Sequence, residues 1–452
     1  MGKTSRSRKP DEWAAKINHT RLIKDPFIQN FIKECRFPKD SSEIDSQDTE
    51  LIFDLIEPQV NPIKYIISVD GGYTTVEVKK NFPSSKIAFF QFGALLFDLK
   101  DLEDLSEKPF IFPEDINKLH NLKPFKLALH VQNVISKTQS SLQDSIRREI
   151  YEFFLCDRDS STFMETLAWL TFREYNVSSP VACYRLGTDP YTGSAVELYR
   201  NQMNSDYTFD LPQGKIFLTD IFRLHEVIDE DHGAGGILGY ITRLIEQLII
   251  AHFIRFLYRY QKEYLGSFLF IVDGPLSFSG QTANMHILMR DLCNFLLKGQ
   301  NLFLVGLEKS GAFVDHAQAI CIQNEKTEIL KRNQCLVLKN SYIYKYITPG
   351  DPVNSHYGIT SYYGGKVIFH SSDGQIYVLS VPVEDKDIVL NPTKKDYQNL
   401  DIILHNIQKL KCDLYDDSII PITLANKLVS LANNPSQTFL EKFVSQNIKE
   451  PS

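Results

Sequence analysis

Phe268-Leu269-Phe270-Ile271-Val272-Asp273-Gly274-Pro275-Leu276 is a run of five apolar residues that stops at a carboxylate and a glycine–proline turn. A short apolar run bounded by turn residues reads as a buried strand. Tyr65-Ile66-Ile67-Ser68-Val69-Asp70-Gly71-Gly72 repeats the pattern. Both predict strands of an α/β fold, a sheet flanked by helices, with an aspartate at each strand end and a glycine turn after it. Sheets of this kind carry their chemistry at strand ends. Two carboxylates brought together there repel each other unless a cation sits between them. A hard, oxygen-preferring Mg2+ or Mn2+ is the natural occupant, and phosphoryl transfer the natural reaction. The plainer reading is that an Asp after a strand only starts a turn; two in the same setting shift the balance toward a site.

The rest of the chain sets bounds on that reading. It has 452 residues, 43% apolar and 23% charged, with a formal net charge of -7. This is an ordinary globular composition, and any nucleic-acid surface must be a local basic patch. The seven cysteines form no C-x-x-C pair, which argues against a zinc ribbon or disulfide framework and fits a reducing cytoplasm. The most apolar stretch, Leu248 to Tyr258, contains His252 and Arg255, so it reads as a core helix with no membrane role. The basic start, Met1 to Lys9, lacks an apolar segment and reads as a solvated tail.

Three regions follow from the patterning: a helical lead-in over 1–60, a main domain over 61–330 with 98–215 as an insertion, and a hairpin and helical part over 331–452. The main sheet opens with strands at 63–70, Tyr73 to Lys79 and Lys86 to Phe97. Helices are predicted at 139–156, 161–174, 237–264 and 282–298. Strands are predicted near 195–200, 215–219 and 302–307, a hairpin region over 340–385 and helix over 395–446.

A third carboxylate should complete a metal cage. Glu246, surrounded by apolar residues on the long helix, is the choice, because a metal removes the cost of burying it. The competing reading pairs it with Arg243 or Arg255. Glu149 and Glu152 lie in a charged run and read as a solvated face, with Glu152 kept as an accessory candidate. Lys309, after the 302–307 strand, suits a phosphate contact or a pair with Glu308. Glu308 suits a metal or that pair, and His316 is a possible assistant. Gly233 to Gly239 fits no dinucleotide or Walker pattern and reads as a flexible helix entry that is able to hold a phosphate. Tyr363, among Tyr362 and Tyr377, and Lys366 suit stacking on unpaired bases if exposed, and sheet core if not.

Ser68-Val-Asp70-Gly-Gly, Ile271-Val-Asp273-Gly-Pro-Leu and Leu304-Val-Gly-Leu-Glu308-Lys-Ser together resemble the signature strands of NurA nucleases. The resemblance covers about 60–320, and more loosely extends to about 430. It implies an RNase H-like fold and a metal-dependent DNA nuclease, 5'-3' exonuclease or endonuclease, using Mn2+ or Mg2+. It also implies a homodimer working with a HerA-type hexameric ATPase in DNA end processing or defence against foreign DNA. Carried over by position, Asp70, Glu246 and Asp273 are the catalytic metal ligands; Lys309, read from its own place after the strand, is added to them as a catalytic candidate. Two positions depart from the family: Gly72 replaces a Ser, and Asn426, in Ile420-Pro421-Ile-Thr-Leu424-Ala425-Asn426, stands where many members have His. His356, His370 and His405 are the other candidates for that role. These departures leave room for a non-catalytic adaptor or DNA clamp of the same fold. Asp70-Gly-Gly-Tyr-Thr74-Thr75 also looks like the first phosphate loop of actin-like ATPases and sugar kinases, but Pro275 stands where their second loop needs Gly.

Overall fold

A computed structural model describes residues 22–79, 82–106, 120–121, 124–157, 161–321, 329–383, 391–412, 418–431, 440–441 and 443–444. The basic start Met1 to Lys9 lies outside them. In chain order the strands are β1 (Ile52–Asp54), β2 (Tyr65–Lys79), β3 (Phe82–Asp98), β4 (His120–Asn121), β5 (Phe125–Gln132), β6 (Cys183–Thr188), β7 (Ala195–Tyr199), β8 (Thr208–Leu211), β9 (Gly214–Phe217), β10 (Phe268–Asp273), β11 (Phe303–Glu308), β12 (Gln334–Val337), β13 (Gly365–His370) and β14 (Ile376–Val381). The helices are α1 (Pro26–Glu34), α2 (Ser46–Thr49), α3 (Leu99–Ser106), α4 (Leu142–Leu155), α5 (Phe163–Thr171), α6 (Leu238–Tyr260), α7 (Met285–Gly299), α8 (Ala312–Cys321), α9 (Asn340–Tyr346), α10 (Leu400–Lys409) and α11 (Ile420–Val429).

One mixed sheet runs β1-β12-β13-β14-β11-β10-β2-β3-β4, with β5 also paired to β3. Its centre is β10, parallel to β2 on one side and β11 on the other. The quoted run fits this place because a central strand is covered on both faces and needs apolar residues throughout. Alternation divides those residues between two cores. Ile67, Val69, Phe270, Val272 and Leu304 join the core built with α4, α5, α6 and α7. Ile66, Leu269, Ile271, Phe303, Val305 and Leu307 join the core built with α10 and α11. The period of two along a strand produces the split. A third core packs α8 and α9 on β12, β13 and β14. The expected α/β sheet with helices on both faces is the fold observed.

The glycine turn after Asp70 does not exist. Gly71 and Gly72 pair with Phe92 and Gln91, and the strand continues to Lys79. The separate strands at 63–70 and 73–79 are therefore one, because the partner strand β3 is as long and offers a backbone ladder throughout. The phosphate loop that an actin-like ATPase needs at these glycines is absent with the turn. The 340–385 region opens with helix α9 before its β13–β14 hairpin. The 98–215 stretch supplies β5 to the main sheet, and α4 and α5 to the core on one face.

Among the described residues one helical stretch, Gly235–Tyr260, is long and apolar enough to cross a membrane, and most of its apolar window is buried inside the protein. None of the seven cysteines is joined in a disulfide.

The turn after β10 packs back on β11. The Gly274 N–H donates to the Leu307 carbonyl at 2.6 Å. A Cβ on Gly306 would stand 2.4 Å from the Gly274 carbonyl oxygen and 2.9 Å from the Leu276 nitrogen. Both are backbone atoms, so no side chain can yield. Gly306→Ala is expected to lower stability by about 3 kcal/mol. A urea midpoint equal to wild type would show that the turn is free to move.

Candidate active site

Asp273 is the last residue of β10, and Asp70 lies one position past the paired residues Val69 and Val272. The parallel register therefore sets the two carboxylates on adjacent strands. Alternation puts both on the face covered by α10 and α11. Glu246 comes from α6 on the opposite face. It reaches the pair beside Gly71, where a Cβ would lie 3.1 Å from its Oε1 and 2.6 Å from Phe92 Cδ1. The missing side chain leaves room for a carboxylate to approach through the sheet.

The three carboxylates repel one another. Asp70 is buried, and its pKa rises to about 6, first from burial and then from the charge of Asp273. The Gly71 N–H, 2.8 Å from Oδ1, and the charge of Lys309 work in the other direction. Its Oδ2 is buried with no donor at hydrogen-bonding distance. Glu246 is pushed up to about 8 by burial, against the opposing charge of Arg243, with Asp70 and Asp273 adding to the rise.

Cationic side chains neutralise part of this charge. Lys309 Nζ pairs with Asp273 Oδ2 at 2.8 Å and is 34% exposed. Arg243 lies 3.6 Å from Glu246 Oε2. The same guanidinium donates to the carbonyls of Asp273 and Pro275. One turn along α6, Gln247 donates to the Ser277 carbonyl at 2.6 Å. The long helix thus pins the whole turn after Asp273. Gly274 takes φ +94°, and a Cβ there would meet the Arg243 guanidinium at 2.9 Å.

Asn426 arrives from the far end of the chain. Its helix α11 ends against two glycines: a Cβ on Gly72 would stand 3.0 Å from the Val429 carbonyl, and one on Gly93 2.7 Å from the side chains of Leu428 and Val429. Gln91 donates to the Leu428 carbonyl at 2.9 Å. This close approach brings Asn426 to Asp70, whose pKa it lowers. Gly72, a departure from the resembled family, here serves backbone-to-sheet packing.

The remaining candidates go elsewhere. Glu308 ion-pairs with Lys366, not with Lys309. Lys366 is only 3% exposed, with its ammonium 3.8 Å from the Phe313 ring centroid and 4.8 Å from that of Tyr362. Tyr363 is buried against Phe278. Neither Tyr363 nor Lys366 faces solvent, which corrects the expectation that they stack on bases: the loop before β13 is pinned between the Leu276 backbone and the core. His316 is a core residue, bonded to the Tyr342 hydroxyl at 3.0 Å and held neutral by burial, which lowers its pKa to about 4. Glu152 is exposed and pairs with Arg148 at 2.6 Å, on a solvated face. His356 and His370 have partners outside the cluster, in Asn340 and the Leu330 carbonyl. Sequence reading gave Arg243 only as an ion partner; its spacing of three from Glu246 on a helix was the available signal. Gln247 gave none.

The chemistry of the donor set suits a hard cation: three neighbouring carboxylates, two of them with raised pKa, and one orphaned oxygen. Among the described residues, however, no three His, Cys, Asp or Glu side chains are arranged to hold a metal. Lys309 occupies Asp273, and Glu246 keeps a proton at neutral pH. Cation binding therefore requires that ion pair to open and that proton to leave.

The sequence matches no family model and no curated protein. Solved structures similar to the chain include two of NurA. One is the NurA nuclease from Sulfolobus solfataricus, 10% identical, with a TM-score of 0.34 over 96% of this chain and 98% of that one. The other is a NurA structure, 12% identical, with a TM-score of 0.28 over 96% and 97%. Likeness of this degree transfers no residue role, and the roles below rest on geometry.

The Glu246 shift has a measurable sign. Between its ordinary pKa of 4.5 and about 8, the folded protein holds a proton that the unfolded chain releases. Stability without divalent cation therefore falls as pH rises through that window. Glu246→Gln removes the effect and should stabilise the protein in EDTA at pH 9, on the order of 2 kcal/mol relative to wild type, with little change at pH 4. Denaturant curves that move in parallel with pH for the two proteins would contradict the assignment.

Proposed function

We propose that the protein is a metal-dependent deoxyribonuclease acting through Asp70, Glu246 and Asp273. The observation that carries this reading is the buried Asp70 Oδ2, which lacks a donor beside a second carboxylate on the adjacent parallel strand. A buried carboxylate oxygen left without a partner is costly unless a ligand completes it. The three carboxylates would hold Mn2+ or Mg2+, which when bound polarises a phosphodiester and acidifies water.

The chain's own groups have separate tasks. Arg243 and Gln247 fix the turn that presents Asp273. Asn426 orients Asp70 from the opposite side. Lys309, once displaced from Asp273, supplies positive charge to a phosphate oxygen from the rim of the site, where it is already partly exposed. The resemblance in the signature strands extends the proposal to a homodimer around a DNA channel, supplied with DNA by a HerA-type hexameric ATPase.

A second reading has its own support. Lys309 already pairs with Asp273 and Arg243 stands beside Glu246, as expected of a non-catalytic adaptor or DNA clamp that has replaced the metal with internal cations. Cleavage of end-labelled linear DNA separates the two. A nuclease degrades it with Mn2+, stops in EDTA, and loses roughly 100-fold or more with Asp273→Ala. A wild-type protein inert both alone and with its ATPase would favour the clamp.

A further inference from the structure

A group of solvent-facing aromatics sits at and just beyond the far end of α6. Phe256, Tyr260 and Tyr264 are 46%, 63% and 49% exposed. Phe256 and Tyr260 are one helical turn apart, with ring centroids 5.1 Å apart. Two exposed cations lie among them: the Arg259 guanidinium is 5.6 Å from the Tyr260 ring, and the Lys262 ammonium 4.7 Å from the Tyr258 ring. None of these groups serves the carboxylate cluster. Large rings left in water side by side mark a binding surface more often than chance.

The combination selects among ligands. Exposed rings with mobile cations lying over or beside them suit a base and its phosphate once the cation swings to the phosphate. The bases must be unpaired, because a duplex has its base faces already stacked. The chain's net charge of -7 does not draw in a polyanion, so the attraction must be local, as Arg259 and Lys262 make it.

We propose that Phe256, Tyr260 and Tyr264, with Arg259 and Lys262, bind single-stranded nucleic acid, the rings stacking on bases and the cations meeting phosphates. The choice of nucleic acid as ligand rests on the nuclease reading. The site is separate from the chemistry: Glu246 and Tyr260 lie on the same helix, about 21 Å apart at 1.5 Å per residue. A strand bound there has several nucleotides left to reach the carboxylates. Very short oligonucleotides reach only one of the two places.

Anisotropy titration of dye-labelled oligo-dT of about 20 nucleotides, in EDTA and with the full chain, tests the site without any cleavage. Phe256→Ala/Tyr260→Ala/Tyr264→Ala should weaken binding by about 10-fold or more. Arg259→Ala/Lys262→Ala should lower the slope of log affinity against log salt by about 1 to 2. All five patch side chains are exposed, so the variants keep their core. Three results would overturn the proposal: no binding of oligo-dT by wild type, equal binding by the aromatic variant, or a change in self-association by light scattering with DNA binding intact, which would make the patch a protein interface. Binding that depends on the patch in a protein that never cleaves DNA would uphold this site and remove the nuclease reading.

Discussion

Parallel pairing of β10 with β2 is the constraint on which the rest of the structure depends. It is a costly arrangement for a protein that places aspartates on both strands, since the register sets them side by side. Every unusual feature nearby is a response to that proximity. Burial and mutual charge raise the pKa values of Asp70 and Glu246. Lys309 takes up Asp273, and Arg243 stands beside Glu246. Glycines at 71, 72 and 93 thin the sheet so that Glu246 approaches from one face and α11 from the other.

The internal cations matter as much as the acids. Both sit where they neutralise the cluster without filling it. Arg243 has two further carbonyl contacts, so it is fixed, and its charge is a permanent part of the site. Lys309 has a single salt bridge at the rim, so it can be displaced by a stronger cation. The asymmetry separates the structural positive charge from the exchangeable one.

The central strand and its aspartate were legible in the sequence because they depend on local signals: an apolar run, a carboxylate, a glycine. Glu246 was legible for a related reason, a charge stranded among apolar helix residues. The end of the first strand was misread, since the same glycines that usually make a turn also make a flat place in a strand, and only the partner β3 decides. The partners of Glu308 and Lys309 were not legible. They follow from alternation at the end of β11, which sends neighbouring side chains apart, and from β13, which brings Lys366 to Glu308 from 58 residues away. The burial of Tyr363 has the same origin: composition shows an aromatic beside glycines, but only the packing of its loop on Leu276 and Phe278 decides which way it faces.

The approach of α11 over Gly72 and Gly93 has a consequence for biosynthesis. Asp70 is made early and Asn426 late, and the helix that covers Asp70 cannot dock until the chain through Val429 has left the ribosome. Once β3 has been made, the strands of the β2–β3 ladder are both present while the helix that covers its Asp70 side is still to come. A chain interrupted between Asp273 and this helix would carry all three carboxylates in an unfinished setting. The setting of the three carboxylates is thereby completed only when this late helix is in place.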